Sequence, residues 1–408
     1  MMDIQHMLAA DKAGCSGCGA CMKSCPVGAI AMKADEYGCL YPSIDDKNCI
    51  QCGKCLAVCR QIAETRANGQ LSAYAAVGKD AQLVENSASG GVFAAAAAEW
   101  ISRGGMAVGA VMEMSRNGLH VRHILSDRAE DIARMQGSKY VFSEASACYD
   151  DVVRALKEGR EVLFSGTPCQ TAAIKALTGD PANLVTMDIV CHGVPPMAML
   201  REYAEILSKR FCGRISDVKF RDKAVGKPFT ARLSVEYGRK HRAWLLRSHD
   251  LSYYTHFLQG SIYRENCYSC PYARKERVSD ITIGDYWGAQ KRHEADIAEG
   301  RMAARDDWSC VMVNTEKGKA ALDSFSSRLQ LHETKPEWIA MDNQQLRHPY
   351  RKPQDREELL GLYKEGGYRA IERAFIKSKG GNIRFLIRTV RSLRRNHIAS
   401  MTQRNMHS

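Results

Sequence analysis

Between residues 148 and 209, short apolar runs alternate with segments whose apolar positions recur at helical spacing. The pattern predicts helices over 148–157, 168–177 and 196–209, and strands over 161–164 and 184–190. Strands and helices that alternate in this way build a parallel α/β layer. Upstream, a strand over 72–77, a turn over 86–91 and an alanine-rich helix over 92–102 precede a hairpin. Its strands, 106–114 and 119–125, flank Arg116, Asn117 and Gly118. Downstream come strands over 214–220 and 232–237, and helices over 357–377. The expected fold class is α+β and α/β in three parts: a small module over 1–68, a larger mixed α/β domain over 69–353, and a helical, basic segment over 354–408.

The first part is organised by cysteine rather than by apolar periodicity. Cys15, Cys18, Cys21 and Cys25 form a C-x2-C-x2-C-x3-C ladder, and Cys49, Cys52, Cys55 and Cys59 repeat it at an offset of 34 residues. A cubane iron–sulfur cluster needs four thiolates, and such a tight loop wraps only three of its irons. In a two-cluster ferredoxin the last cysteine of each run crosses over. One [4Fe-4S] cluster would then use Cys15, Cys18, Cys21 and Cys59, and the other Cys49, Cys52, Cys55 and Cys25. Zinc does not require this rhythm, and a disulfide framework belongs to short secreted chains. Pro26 follows Cys25 as the ferredoxin run expects. Arg60 follows Cys59 instead, which places a positive charge near one cluster.

Composition sets the context. With 408 residues and 45% hydrophobic content, the chain holds more than a free-standing ferredoxin. No secretory leader pattern opens it, and its longest unbroken apolar run, residues 92–98, is far too short to cross a bilayer. The expectation is a cytoplasmic protein, and sixteen cysteines suit a reducing compartment. The net charge of +12 is concentrated: Lys377, Lys379, Arg384, Arg388, Arg391, Arg394, Arg395 and Arg404 lie in a stretch without Asp or Glu. Interleaved apolar residues suit contact with an anionic membrane or an acidic partner, and a frayed, solvated tail explains the same pattern. No recognition motif accompanies the charge, which argues against nucleic acid.

Eight further cysteines lie outside the ladders. Cys169 and Cys191 each follow an apolar strand, so both sit at the C-terminal edge of the expected sheet, where open α/β folds build sites. Cys267 and Cys270 form a C-x2-C pair. Together the four match the requirement of a third [4Fe-4S] cluster. Cys39, Cys148, Cys212 and Cys310 are expected to be core thiols. Gly90 and Gly91 open the helix over 92–102, where backbone N–H groups suit a phosphate; an ordinary glycine turn is the alternative.

From Ser72 to about Pro353 the chain resembles the family of coenzyme F-420 hydrogenase/dehydrogenase beta subunits, and the ferredoxin module is a common extension of it. The resemblance rests on Asn86-Ser87-Ala88-Ser89-Gly90-Gly91, Gly137-Ser138-Lys139-Tyr140-Val141, Gly166-Thr167-Pro168-Cys169-Gln170 and Cys191-His192-Gly193-Val194-Pro195. It continues through Phe220-Arg221-Asp222-Lys223, Cys267-Tyr268-Ser269-Cys270 and Gly284-Asp285-Tyr286-Trp287-Gly288. It implies a flavin-binding domain carrying FAD and clusters, hydride exchange with a two-electron carrier, and single-electron transfer to the clusters. It also implies a redox partner protein or soluble electron carrier. Ser89, Gly90, Gly91, Ser138 and Lys139 become the candidate flavin contacts. Lys139 either balances an anionic reduced flavin or is an ordinary surface lysine; His192 either delivers a proton or is structural. Relatives with this front end also occur beside surface-polysaccharide genes. An accessory electron-transfer subunit without its own substrate is therefore the competing expectation.

Overall fold

The structure is a computed structural model that describes residues 12–59, 67–115, 117–224 and 229–381. Arg60, the start of the linker at Thr65, Arg116 and the basic segment from residue 382 onward lie outside them.

The N-terminal module is built around its ladders. Gly19 and Gly53, at φ 76° and 72°, open the short helices Ala20–Lys23 and Lys54–Val58 immediately after the second cysteine of each run. Strands β1 (Ile30–Ala34) and β2 (Leu40–Ile44) pair antiparallel beside them, with Ile30 opposite Ile44. Cys21, Ile30, Cys55 and Leu56 form the small core of the module.

The main domain is an eight-stranded mixed sheet. Its strands are β3 (Ser72–Gly78), β4 (Met106–Ser115), β5 (Gly118–Ser126), β6 (Val162–Gly166), β7 (Leu184–Ile189), β11 (Ile281–Asp285), β12 (Ser309–Val313) and β13 (Leu329–Thr334), in spatial order β13-β3-β12-β11-β7-β6-β4-β5. The central strands β4, β6, β7 and β11 are parallel. Their crossovers include the helices Tyr149–Lys157 and Pro168–Thr178, close to the expected bounds. The expected hairpin forms one edge as the antiparallel pair β4 and β5, and the parallel layer expected from the sequence is corrected on the other flank, where β12 and β13 join antiparallel to their neighbours. The sequence at β12, Ser-Cys-Val-Met-Val, is buried throughout and too short for periodicity to distinguish strand from helix.

A three-stranded sheet, β8 (Arg214–Lys219), β9 (Thr230–Tyr237) and β10 (Lys240–Arg247), packs against the β4–β5 hairpin and the helix Met197–Arg210. The helix Arg356–Ser378 joins the same core through Leu359, Leu360, Tyr363, Tyr368 and Ile371, so the segment expected from residue 354 begins as part of this domain. It breaks at Gly366 and Gly367, where Glu202 Oε2 accepts Tyr368 N–H at 2.6 Å and caps the second half. A side chain at Gly367, φ 60°, would meet that carboxylate.

Candidate functional site

The fold brings the last cysteine of each ladder towards the other ladder. Cys15, Cys18, Cys21 and Cys59 interact electrostatically with one another, whereas Cys55 faces Cys52 and Cys25. Cys25, Cys49, Cys52 and Cys55 line one cavity together with Val27, Ile30, Ile44 and Ile50. Burial pushes the thiols of Cys15 and Cys18 up to about 11. Thiolates in such places need a bound cation to exist at neutral pH.

The second set sits where the sheet ends. Cys169 lies at the start of the helix that follows β6, with its Sγ 3.1 Å from Thr167 Oγ1. Cys191 follows β7, the neighbouring parallel strand. Cys267 and Cys270 come from the turn Glu265–Ser269 and its end. Cys191 interacts with Cys267, Cys169 and Cys270, and Cys169 with Cys270, so all four share one neighbourhood. Ala172, Tyr272 and Val278 pack around Cys169 and Cys270. Among the described residues no three His, Cys, Asp or Glu side chains converge on a single ion; a cubane is a larger body that holds its thiolates apart at its corners.

The two assemblies abut. Cys18 of the first ladder interacts with Cys169 across the module boundary, and the buried Tyr149 lies close to both. The helix Ala20–Lys23 packs on Pro168–Thr178, and Lys23 pairs with Asp150. Of the remaining cysteines, Cys39, Cys148 and Cys310 are buried as expected. Cys212 is corrected: it is exposed, at φ 50° in the turn after Met197–Arg210, where the positive φ of the turn leaves the side chain in solvent.

The runs named as flavin contacts meet at the same edge. Ser89 Oγ lies 2.8 Å from Ser309 Oγ, and the Gly90 N–H donates to Ser309 Oγ at 2.9 Å. The Gly90 carbonyl accepts Gly78 N–H, so both backbone groups of Gly90 are engaged within the protein. Gly91, φ 81°, opens the helix Val92–Ser102. Lys223, absent from the expected site, fixes this loop: its Nζ donates to the carbonyls of Val84 and Ser89 and to Asp307 Oδ2. Gln136 Nε2 donates to Leu83 O and Ser87 Oγ, which brings the Gly137–Tyr140 run alongside.

The Tyr140 ring, two residues after Ser138, stacks on Phe257 with centroids 4.1 Å apart. Lys139 is half-buried and donates to Arg134 O and Gln136 O. Desolvation, only partly offset by Asp217, lowers its ammonium to about 7. Nearby, Arg221 makes two bonds to Asp285, at 2.9 and 3.2 Å, with its guanidinium 5.3 Å from both the Phe229 and Trp287 rings. His192 is exposed and faces this pair.

Sequence reading missed Arg221, Lys223, Asp188, Arg264 and Arg277 as site residues. The first two lie in a run already noticed, Phe220-Arg221-Asp222-Lys223, and Arg264 stands three residues before Cys267.

Comparison with known proteins gives two matches along the chain. Residues 14–63 match the 4Fe-4S dicluster domain, and residues 159–337 match the C terminus of the coenzyme F420 hydrogenase/dehydrogenase beta subunit. Similar curated proteins are the F subunit of the F(420)H(2) dehydrogenase of Methanosarcina mazei, 23% identical over 78% of this chain and 84% of that protein, and an uncharacterized protein of Methanocaldococcus jannaschii, 22% identical over 75% and 84%. A solved structure of the F420-reducing [NiFe] hydrogenase complex from Methanosarcina barkeri aligns at 14% identity and TM-score 0.45, over 74% of this chain and 94% of that one. The chain is thus similar to the coenzyme F420 hydrogenase/dehydrogenase beta subunits over residues 159–337 and matches a 4Fe-4S dicluster domain in front of that region.

Proposed function

We propose that this chain is an electron-transferring oxidoreductase subunit that links a two-electron carrier, of deazaflavin or similar type, to a series of [4Fe-4S] clusters through FAD. Cys15, Cys18, Cys21 and Cys59 would hold the inner ladder cluster, Cys49, Cys52, Cys55 and Cys25 the outer one, and Cys169, Cys191, Cys267 and Cys270 a third. The observation that carries the reading is the packing of Cys18 and Ala20 on Ala173 and Ile174 of the helix Pro168–Thr178, with Cys18 and Cys169 close enough to interact electrostatically, so the ladder module lies against the strand-end cysteines. The name of the Methanosarcina mazei relative, part of an F(420)H(2) dehydrogenase, supports the same class of reaction.

Bound FAD would exchange hydride on one side and single electrons on the other. The protein's own residues position and tune. Ser89, Gly91, Ser138 and Lys139 lie on loops that converge at the C-terminal ends of parallel strands, where open α/β sheets bind nucleotides. Arg221, bonded to Asp285 and lying beside the stacked Phe229 and Trp287 rings, offers a fixed positive group there. At the other end Cys52 is exposed, and Val27 and Ile50 are 45% and 60% exposed beside the outer quartet. That apolar rim favours a second reading in which the chain also delivers electrons to a protein partner.

Anaerobic purification, acid extraction of flavin and turnover of a reduced deazaflavin with an artificial one-electron acceptor test the reading. Flavin and turnover by the isolated chain are expected; a reconstituted sample without flavin would sink it.

A further inference from the structure

Arg264 is 1% exposed and has no carboxylate partner among the described residues. Its Nη2 donates to the Leu40 carbonyl at 2.9 Å and reaches the Cys15 carbonyl at 3.4 Å, so a side chain of the main domain clamps the ladder module. Its guanidinium lies 5.0 Å from the Tyr41 ring and 5.1 Å from the Phe142 ring. Nη1 has no hydrogen-bond partner among the described residues. A buried cation without a counter-charge costs several kcal/mol. Sulfur atoms of both sets surround it, Cys15 on one side and Cys169 and Cys267 on the other, together with the buried Cys39.

The two ladders show that room has been made for it. Gly17 and Gln51 occupy equivalent positions and both have positive φ, 67° and 56°. A Cβ at Gly17 would lie 2.7 Å from Arg264 Nη2 and 2.8 Å from Leu40 O. The second ladder, which has no arginine against it among the described residues, carries a full side chain there, and Gln51 is exposed.

We propose that Arg264 is the counter-charge shared by the Cys15, Cys18, Cys21, Cys59 quartet and the Cys169, Cys191, Cys267, Cys270 quartet, a tuning residue that raises the reduction potential of the clusters they hold. The proposal rests on the ligand sets given above. One-electron reduction adds negative charge to a cluster, and a fixed positive charge beside it in a low-dielectric interior favours that state. The planar fork explains the choice of arginine: Nη2 donates to two backbone carbonyls, Nε to Asn266 Oδ1, and the flat guanidinium lies against two rings, which a lysine ammonium cannot reproduce.

The test is a redox titration of the reconstituted full-length protein, followed by low-temperature EPR with iron counting, for wild type, Arg264→Met and Arg264→Lys. With about 12 irons retained, Arg264→Met should lower two of three midpoints, each by at least a tenfold change in the reduced-to-oxidised ratio, about 59 mV for one electron. The outer quartet's cluster should stay at its wild-type midpoint and serve as the internal reference. Arg264→Lys, which keeps the charge, should restore most of the shift. If Arg264→Met loses iron, the lysine variant decides: midpoints near wild type support the proposal, and a shift in all three overturns it. Unchanged midpoints in Arg264→Met with full iron also overturn it. Wild-type protein holding only about eight irons would refute the third ligand set itself, and the sharing with it.

Discussion

Asp188 and Arg277 form an ion pair at 3.0 Å with side chains 0% and 2% exposed. Asp188 is the penultimate residue of β7, three positions before Cys191, and Arg277 stands between Cys270 and β11. The same guanidinium donates to Tyr272 O and Thr282 Oγ1, so one side chain ties the Cys267–Cys270 turn to two strands of the sheet. Burial raises the Asp188 carboxyl more than Arg277 lowers it, which marks the pair as a positioning device rather than a source of stability. Breaking one side leaves a buried charge alone. Arg277→Met is expected to cost roughly 3–5 kcal/mol in denaturant unfolding and to reduce the iron of the strand-end quartet while ladder iron persists. Equal iron and an unchanged unfolding midpoint would remove the pair from the site.

Iron counting separates the ligand sets. Two ladder clusters account for about 8 Fe and a third raises the count to about 12. Cys169→Ala or Cys270→Ala should lower the count by about four and leave the ladder signals intact. Cys310→Ala and Cys212→Ala are controls for different reasons. Cys310 is buried in β12 opposite Gly284, with no quartet cysteine among its electrostatic neighbours, and Cys212 is exposed. Loss of iron from either control would mean that the quartet is wrongly composed.

The parts of the site that depend on spacing were legible in the sequence. The ladder offset, the strand-then-cysteine pattern at Cys169 and Cys191, and the C-x2-C at 267–270 each carry local information, because ligands must follow the chain's own geometry. Arg264, Arg277 and Lys223 carry none: each is one of 58 Lys and Arg residues, and its role comes from what distant segments place around it. The antiparallel half of the sheet was hidden for a related reason. β12 and β13 are short, and β12 is buried at every position, so neither displays a period long enough to read. Cys212 shows the reverse failure, since a cysteine's type suggests burial and only the turn at φ 50° reveals that it faces solvent.

The basic segment beyond residue 381 is tested by deletion. Removing 382–408 takes away Arg384, Arg388, Arg391, Arg394, Arg395 and Arg404 with no acidic residue. Juxtamembrane basic residues contribute about 1 kcal/mol each near an anionic surface. The truncated protein should therefore bind phosphatidylserine vesicles far more weakly at low salt, with flavin and iron content unchanged. Equal binding by both forms would leave the segment as a solvated tail.

Lys139 gives a pH signature. Its ammonium, ordinarily at 10.5, is lowered to about 7 because burial disfavours the charged form. The unfolded chain binds the extra proton between those values, so this group makes stability rise with pH from about 7 towards 10.5. At and below pH 7 the folded protein carries the full cost of the buried charge. Competitive acylation read by mass spectrometry should give Lys139 a labelling midpoint near 7 in the oxidised protein, well below that of exposed lysines. If Lys139 faces the flavin, reduction should move that midpoint upward, because a neighbouring anion favours the ammonium form. A midpoint near 10.5 would show that the side chain is solvated, and one that ignores reduction would remove Lys139 from the flavin contacts.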